Sequence, residues 1–218
     1  MTRATTIRVL LALMAASWGH AEIIDRIAVS VGNGVITTSG IDREIRVTAL
    51  LNDVPADFSA ASRRATADRM VEQKLVRREL EISRYPVPEA SAVESEYAAF
   101  RKARYPTDAS LESALKEYGI TEEEIKDELL WQLTLLRFIE VRFRPAVQVS
   151  DEDIRAYFDS SVKPAAEAAH PGEPVSLDDY RAQIQDTLTG KRADQELDAW
   201  LKQTRQRTEI VYHEEVFQ

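Results

Sequence analysis

Residue types that carry most enzyme chemistry are scarce in this 218-residue chain, which has no cysteine and only three histidines, His20, His170 and His213. Lack of Cys removes disulfides, thiolate nucleophiles and thiolate metal sites. No two histidines share a helix at ligand spacing, so no metal is expected. Carboxylates are abundant, and two suffice for glycoside hydrolysis. However, Glu122 to Glu124 and Asp151 to Asp153 directly follow Thr121 and Ser150, where complementarity to a helix dipole accounts for them. No Gly-x-Ser-x-Gly elbow occurs. Basic groups such as Arg63-Arg64, Arg77-Arg78 and Arg101 to Arg104 fall late in helices or among acids, as on solvated helix faces. A net charge of -9 argues against a nucleic-acid partner, which needs a basic face for counterion release. No catalytic residue and no cofactor is therefore expected.

What remains is binding through apolar side chains. Aromatic rings offer large contact area at little entropic cost, and Tyr97, Phe100, Tyr105, Trp131 and Phe138 are the candidates for gripping a peptide. The first three lie on a thin helix between two Tyr-Pro stops and are the first choice for a groove. Trp131 and Phe138 sit in a strongly apolar stretch, where a core role is favoured.

The elements that must position these rings follow from pattern. Residues 1–21 read as a secretory signal peptide: Arg3 and Arg8 precede the apolar run Val9 to Trp18, and Gly19-His20-Ala21 offers small residues for cleavage. No later stretch is long and apolar enough for a membrane span. An exported, acidic, Cys-free chain suits the bacterial periplasm. Ile23 to Val31 alternates as a strand, and Gly32-Asn33-Gly34 predicts a hairpin in which Asn-Gly supplies the turn. Ser39 is expected to cap the next helix. Further helices are predicted over 62–83, 89–104, 107–118, 121–143, 150–158 and 176–207, with Gly190 as a possible bend in the last. Leu129 to Ile139 is apolar on nearly all sides, which predicts a central post buried all round. Residues 162–175 have linker composition. Thr208 to His213 is a strand, and because a lone hairpin is marginal in water it should join the first two. The expected fold is mainly α with a small antiparallel β-sheet, the helices forming an insertion between paired chain ends.

Several segments carry a resemblance. Ile24 to Ser39 followed by an Ile-Asp helix, Met70 to Glu79, Leu115 to Phe143 with Tyr-Gly-Ile-Thr-Glu-Glu-Glu-Ile, Val149 to Phe158, and Leu177 to Ile210 with Trp200-Leu201 resemble, in that order, parts of SurA-type periplasmic chaperones. The resemblance implies a chaperone region over 22–161, completed by a C-terminal helix and strand over 176–218. In relatives with a parvulin-type isomerase module, a whole domain stands where this chain has only residues 162–175, too few to form one. The paired histidines of such a module are missing too. The resemblance therefore implies an ATP-independent holdase without isomerase activity, whose partners are unfolded outer-membrane or exported proteins. A degenerate or partner-completed prolyl isomerase and a structural subunit of an envelope assembly are the alternatives. A homodimer by strand or helix exchange is a further alternative, since the last strand could close a neighbour's sheet.

Overall fold

The computed structural model describes residues 25–218; the expected signal peptide lies outside the described residues. Two strands, β1 (Ile27–Val31) and β2 (Gly34–Thr37), form the hairpin. Its loop residues are Gly32 and Asn33, because Val31 pairs with Gly34. Gly32 has φ +53 and Asn33 stays at negative φ, so the turn takes its glycine at the first central position. The Asn-Gly turn expected from sequence is thus displaced by one residue. An irregularity between Ile27 and Val29 lets both Ala28 and Val29 face inward, fully buried.

Helix α1 (Thr38–Asn52) starts from Thr37, not Ser39: the Thr37 hydroxyl accepts from Gly40 N–H at 3.2 Å. Ser39 instead lies in the first turn, where its hydroxyl and N–H bind Asp25. Those bonds hold the Asp25 carboxyl down at about 2. Helices α2 (Ala60–Ser83), α3 (Ala90–Arg104), α4 (Asp108–Tyr118) and α5 (Glu122–Arg142) follow within a residue or two of expectation. Thr107 and Thr121 each close a capping box, and Gly119 ends α4 at φ +64.

After Pro145, α6 (Asp151–Tyr157) runs through a π turn (Phe158–Val162) directly into α7 (Lys163–Ala169). The expected linker 162–175 is therefore helical as far as Ala169. Alanines favour that helix, and the π turn sits just before Pro164, whose missing N–H and ring would disrupt regular α packing. Only the tip from His170 to Ser176 is irregular. Helix α8 (Leu177–Arg207) is helical throughout, Gly190 included, and at 1.5 Å per residue spans about 46 Å.

Strand β3 (Ile210–Tyr212) then pairs antiparallel with β1, giving the order β2-β1-β3. Ser30 stands opposite both Val35 and Val211, so the inward set is Val29, Val31, Ile36, Ile210 and Tyr212. These pack on Ile41 and Ile45 of α1 and on Val71 and Leu75 of α2. The fold is mainly helical with a small antiparallel sheet, and the last strand closes the sheet of its own chain.

Side chains lock the closure. The Tyr212 hydroxyl and Arg205 both donate to Asp68 of α2, the latter at 2.9 Å. The Arg64 guanidinium lies 3.9 Å over the Tyr212 ring, and Phe217 is buried beneath. Burial, then the Asp68 carboxylate, push the Tyr212 hydroxyl up to about 12. Asp68→Ala strips both donors of a charged acceptor and should cost about 1–3 kcal/mol. In urea the midpoint should drop with an unchanged slope; an unmoved midpoint would mean that strand pairing alone holds the tail.

Candidate functional site: an apolar trough between two helices

Tyr97 and Phe100 lie on α3, and Tyr105 just beyond its end. Tyr97 is buried, its hydroxyl donating to Glu122 at 2.5 Å. Burial and that carboxylate both push the hydroxyl's pKa up. Phe100 and Tyr105 are half-buried and meet edge to face, with ring centres 5.6 Å apart, against the cluster of Val47, Leu50 and Ile125. Tyr97 and Tyr105 do flank a cleft of about 560 Å³, but Glu94, Arg101, Lys102 and Lys126 share its lining. Lys126 pairs with Glu94 at 2.8 Å and lies 5.0 Å from the Tyr97 ring centre. The cleft at the region expected first for a groove thus has a charged lining where an apolar one was anticipated, and Phe100 is not part of that lining.

Trp131 and Phe138 are core residues, as their composition favoured. Phe138 is 1% exposed and touches Tyr85, Phe143 and Trp200 edge-on, with centroids 5.2, 5.5 and 5.6 Å away. Edge-to-face packing of this kind adds to burial. Trp131 is 4% exposed, and the Arg77 guanidinium sits 4.3 Å over its ring.

The rest of α5 departs from expectation. Only Ile125, Trp131 and Phe138 are buried. Leu130 is 38% exposed, Leu136 60% and Val141 36%. The all-round apolar pattern belongs to a helix covered on part of its circumference, not to a post buried on every side. The neighbouring elements account for this. Tyr85 plugs the link between α2 and α3 into the Phe138 ring, and Arg142 donates to its hydroxyl at 2.8 Å. Pro86 and Pro88 then bracket Val87, which is 70% exposed. Two prolines hold this strap extended and remove two N–H donors, so it neither folds down onto α5 nor pairs as a strand.

The result is a trough of about 560 Å³ between α2, the strap and α5. Trp131 lines its base, while Leu80, Val87, Pro88 and Leu130 supply apolar walls. Arg77, Glu81 and Asp127 also line it. Of the ring candidates only Trp131 reaches the trough. Sequence reasoning missed Leu80, Val87 and Leu130. The available signals were the Pro-Val-Pro triplet and the surplus of apolar residues on α5.

A second cleft, about 220 Å³, lies where α1, α2 and α5 meet, between Glu44, Gln73, Arg77 and Glu128. Burial, reinforced by the neighbouring Glu44 carboxylate, raises the Glu128 carboxyl to about 7, while Gln132, Arg77 and Arg69 act the other way. Glu44 is occupied by Gln73 at 3.2 Å, and the lining offers no hydroxyl, thiol or imidazole as a nucleophile. His213 lies beside Glu215 at 3.6 Å, and His170 is exposed at the tip. Among the described residues no cluster of three or more His, Cys, Asp or Glu could hold a metal, and no helix is long and apolar enough to cross a membrane. No family model matches this chain, and no curated protein matches it in sequence.

The raised Glu128 carboxyl fixes a pH dependence. Between its ordinary value of 4.5 and about 7, the unfolded chain has lost the proton and the folded one retains it. Stability is therefore fully present below that window, falls as pH rises through it, and levels off above. Glu128→Gln should match the wild type near pH 4 and exceed it near pH 8 by about 1–2 kcal/mol, allowing for solvent screening in a half-open cleft. Thermal unfolding at both pH values checks this.

Proposed function

We propose that this chain is an ATP-independent holdase of the bacterial periplasm, of the SurA kind, that binds extended segments of unfolded outer-membrane or exported proteins in the trough between α2 and α5. The observation that carries the proposal is the partial cover of α5: part of Leu130, and most of Val87 on the strap, stay in solvent beside a sealed Trp131. Apolar surface that a folding chain leaves unburied, next to a pre-extended strap, is surface kept for another molecule. The ordered sequence segments that resemble SurA-type chaperones support the same reading.

The energetics suit a carrier that releases without fuel. At about 25 cal/mol per Å², covering the apolar surface of one trough of this size yields only a few kcal/mol gross. Association itself costs about 4–15 kcal/mol, so a single segment binds weakly and leaves quickly. The strap lowers the ordering cost on the protein's side, because its prolines already restrict it. Outer-membrane barrel strands alternate apolar and polar residues, which allows one face to enter the trough while the other stays in water. Strands β2 and β3 are the sheet's edges and supply a second mode, in which an extended segment adds a strand.

The protein from residue 22 onward should suppress aggregation of an unfolded barrel protein when present in several-fold excess. Val87→Asp with Leu130→Asp should remove most of that suppression while lowering the melting temperature by only a few degrees, since Val87 is largely and Leu130 partly exposed. Failure of the wild type to suppress aggregation, or full suppression by the double variant, would overturn the assignment.

A further inference from the structure

Beyond the upper end of the trough, α2 presents Lys74, Arg77, Arg78 and Glu81 on one helical stripe. These four line a pocket of about 400 Å³ against the hairpin, together with Asn33 and Thr208. The glycine turn lets the cationic heads come close. A Cβ placed on Gly34 would stand 3.5 Å from Lys74 Nζ, and one on Gly32 3.4 Å from Arg78 Nη1. Among the described residues, no ion pair includes Lys74, Arg77 or Arg78. That is notable in a chain where 37 acidic residues outnumber 28 basic ones. Ten other arginines do find carboxylates, including Arg63, Arg142 and Arg205. Three cations around one cavity, with Glu81 as the single acid in its lining, leave a net positive pocket on an acidic protein.

Arg77 joins this pocket to the trough. It lines both, and its guanidinium lies over the Trp131 ring at 4.3 Å, a cation–π contact that holds the side chain in place. A segment lying along the trough and leaving past Arg77 therefore runs from apolar walls into unpaired donors.

Resting on the holdase reading, we propose that the basic pocket of Lys74, Arg77 and Arg78 anchors a carboxylate of the bound polypeptide, so that the preferred segment is an apolar stretch ending at an acidic group. The carboxylate is either an Asp or Glu side chain or a free chain terminus; both present the same oxygens to a bidentate guanidinium. The net charge on the rest of the protein repels acidic segments, while this net positive pocket beside the trough attracts them and sets the direction in which a segment lies.

Short Val/Tyr-rich peptides carrying a neutral dye test this by fluorescence anisotropy with the full chain. One ends in an amide, one in a free carboxylate, and one in an amide with an adjacent Asp pair. The two acidic peptides should bind roughly fivefold to tenfold tighter than the neutral one. The advantage should vanish in Lys74→Ala/Arg78→Ala and in about 0.5 M salt, while the neutral peptide binds the double variant as before. A free-carboxylate peptide that gains without the Asp peptide, or the reverse, identifies the source and supports the anchor. Equal affinity for all three peptides overturns the anchor and leaves the trough standing. No binding of any peptide overturns the holdase reading and the anchor with it. Capture of phosphatidylglycerol vesicles through the same two cations, without discrimination among peptides, overturns the anchor in favour of a phosphate surface.

Discussion

The pairing of β3 with β1 is the constraint on which the molecule depends. It brings residues 29–31 against residues 210–212, and backbone bonds from Gly32 to Glu209 and from His213 to Ala28, 2.8 and 2.9 Å long, extend the seam at both ends. Every helix between is consequently a closed excursion from one three-stranded base. Closing so long a loop is entropically expensive. The strand pair alone would offset little of that, which is why the seam is reinforced by charged and aromatic contacts from α2 and α8. Asp68 is central because it meets one donor from the strand and one from the helix that leads into it.

Fixing the ends this way leaves the interior divided. Among the described residues the buried ones form four clusters, beneath the sheet, around Leu50 and Ile125, around Phe138, and between α6 and α8 around Ile154 and Ile184. A chain of this length could in principle collect its apolar side chains in one core. Here the surfaces between clusters stay open, and α5 passes between two of them with part of its circumference bare. The trough follows from that geometry: α5 is anchored inside by Trp131 and Phe138, and the turn that carries Leu130 is only partly covered.

Much of the architecture was legible in the sequence because local rules and global need agreed. Thr107, Thr121 and Ser150 start helices where their side chains can accept the first free N–H groups, and Gly119 stops one. The joining of the last strand to the hairpin followed from the instability of an isolated two-stranded unit. Errors arose where two local solutions were close in energy. Thr37 and Ser39 are both good caps, and the Asp25 carboxylate decided between their roles. Either Gly32-Asn33 or Asn33-Gly34 makes a tight turn, and strand register decided. The Ala-rich segment after Val162 joined a helix because a π turn absorbs Pro164. The candidate site was least legible. Ring count pointed to Tyr97, Phe100 and Tyr105, but tyrosine hydroxyls recruit charged partners, and composition does not say which face of α5 its neighbours will cover. Aliphatic residues beside a proline-braced strap formed the open surface instead.

Helix α8 has a further consequence for how such a chain can change over generations. Its far half contributes Ile184, Tyr180 and Leu188 to the small cluster with α6, while its near half places Leu197, Trp200 and Leu201 against the Phe138 and sheet clusters. One rod thus serves three of the interiors, and the exposed tip from His170 to Pro174 lies beside the one it shares with α6. Lengthening that tip changes neither strand register nor the packing around Phe138. An exposed tip of this kind can take up inserted residues while the base keeps its shape.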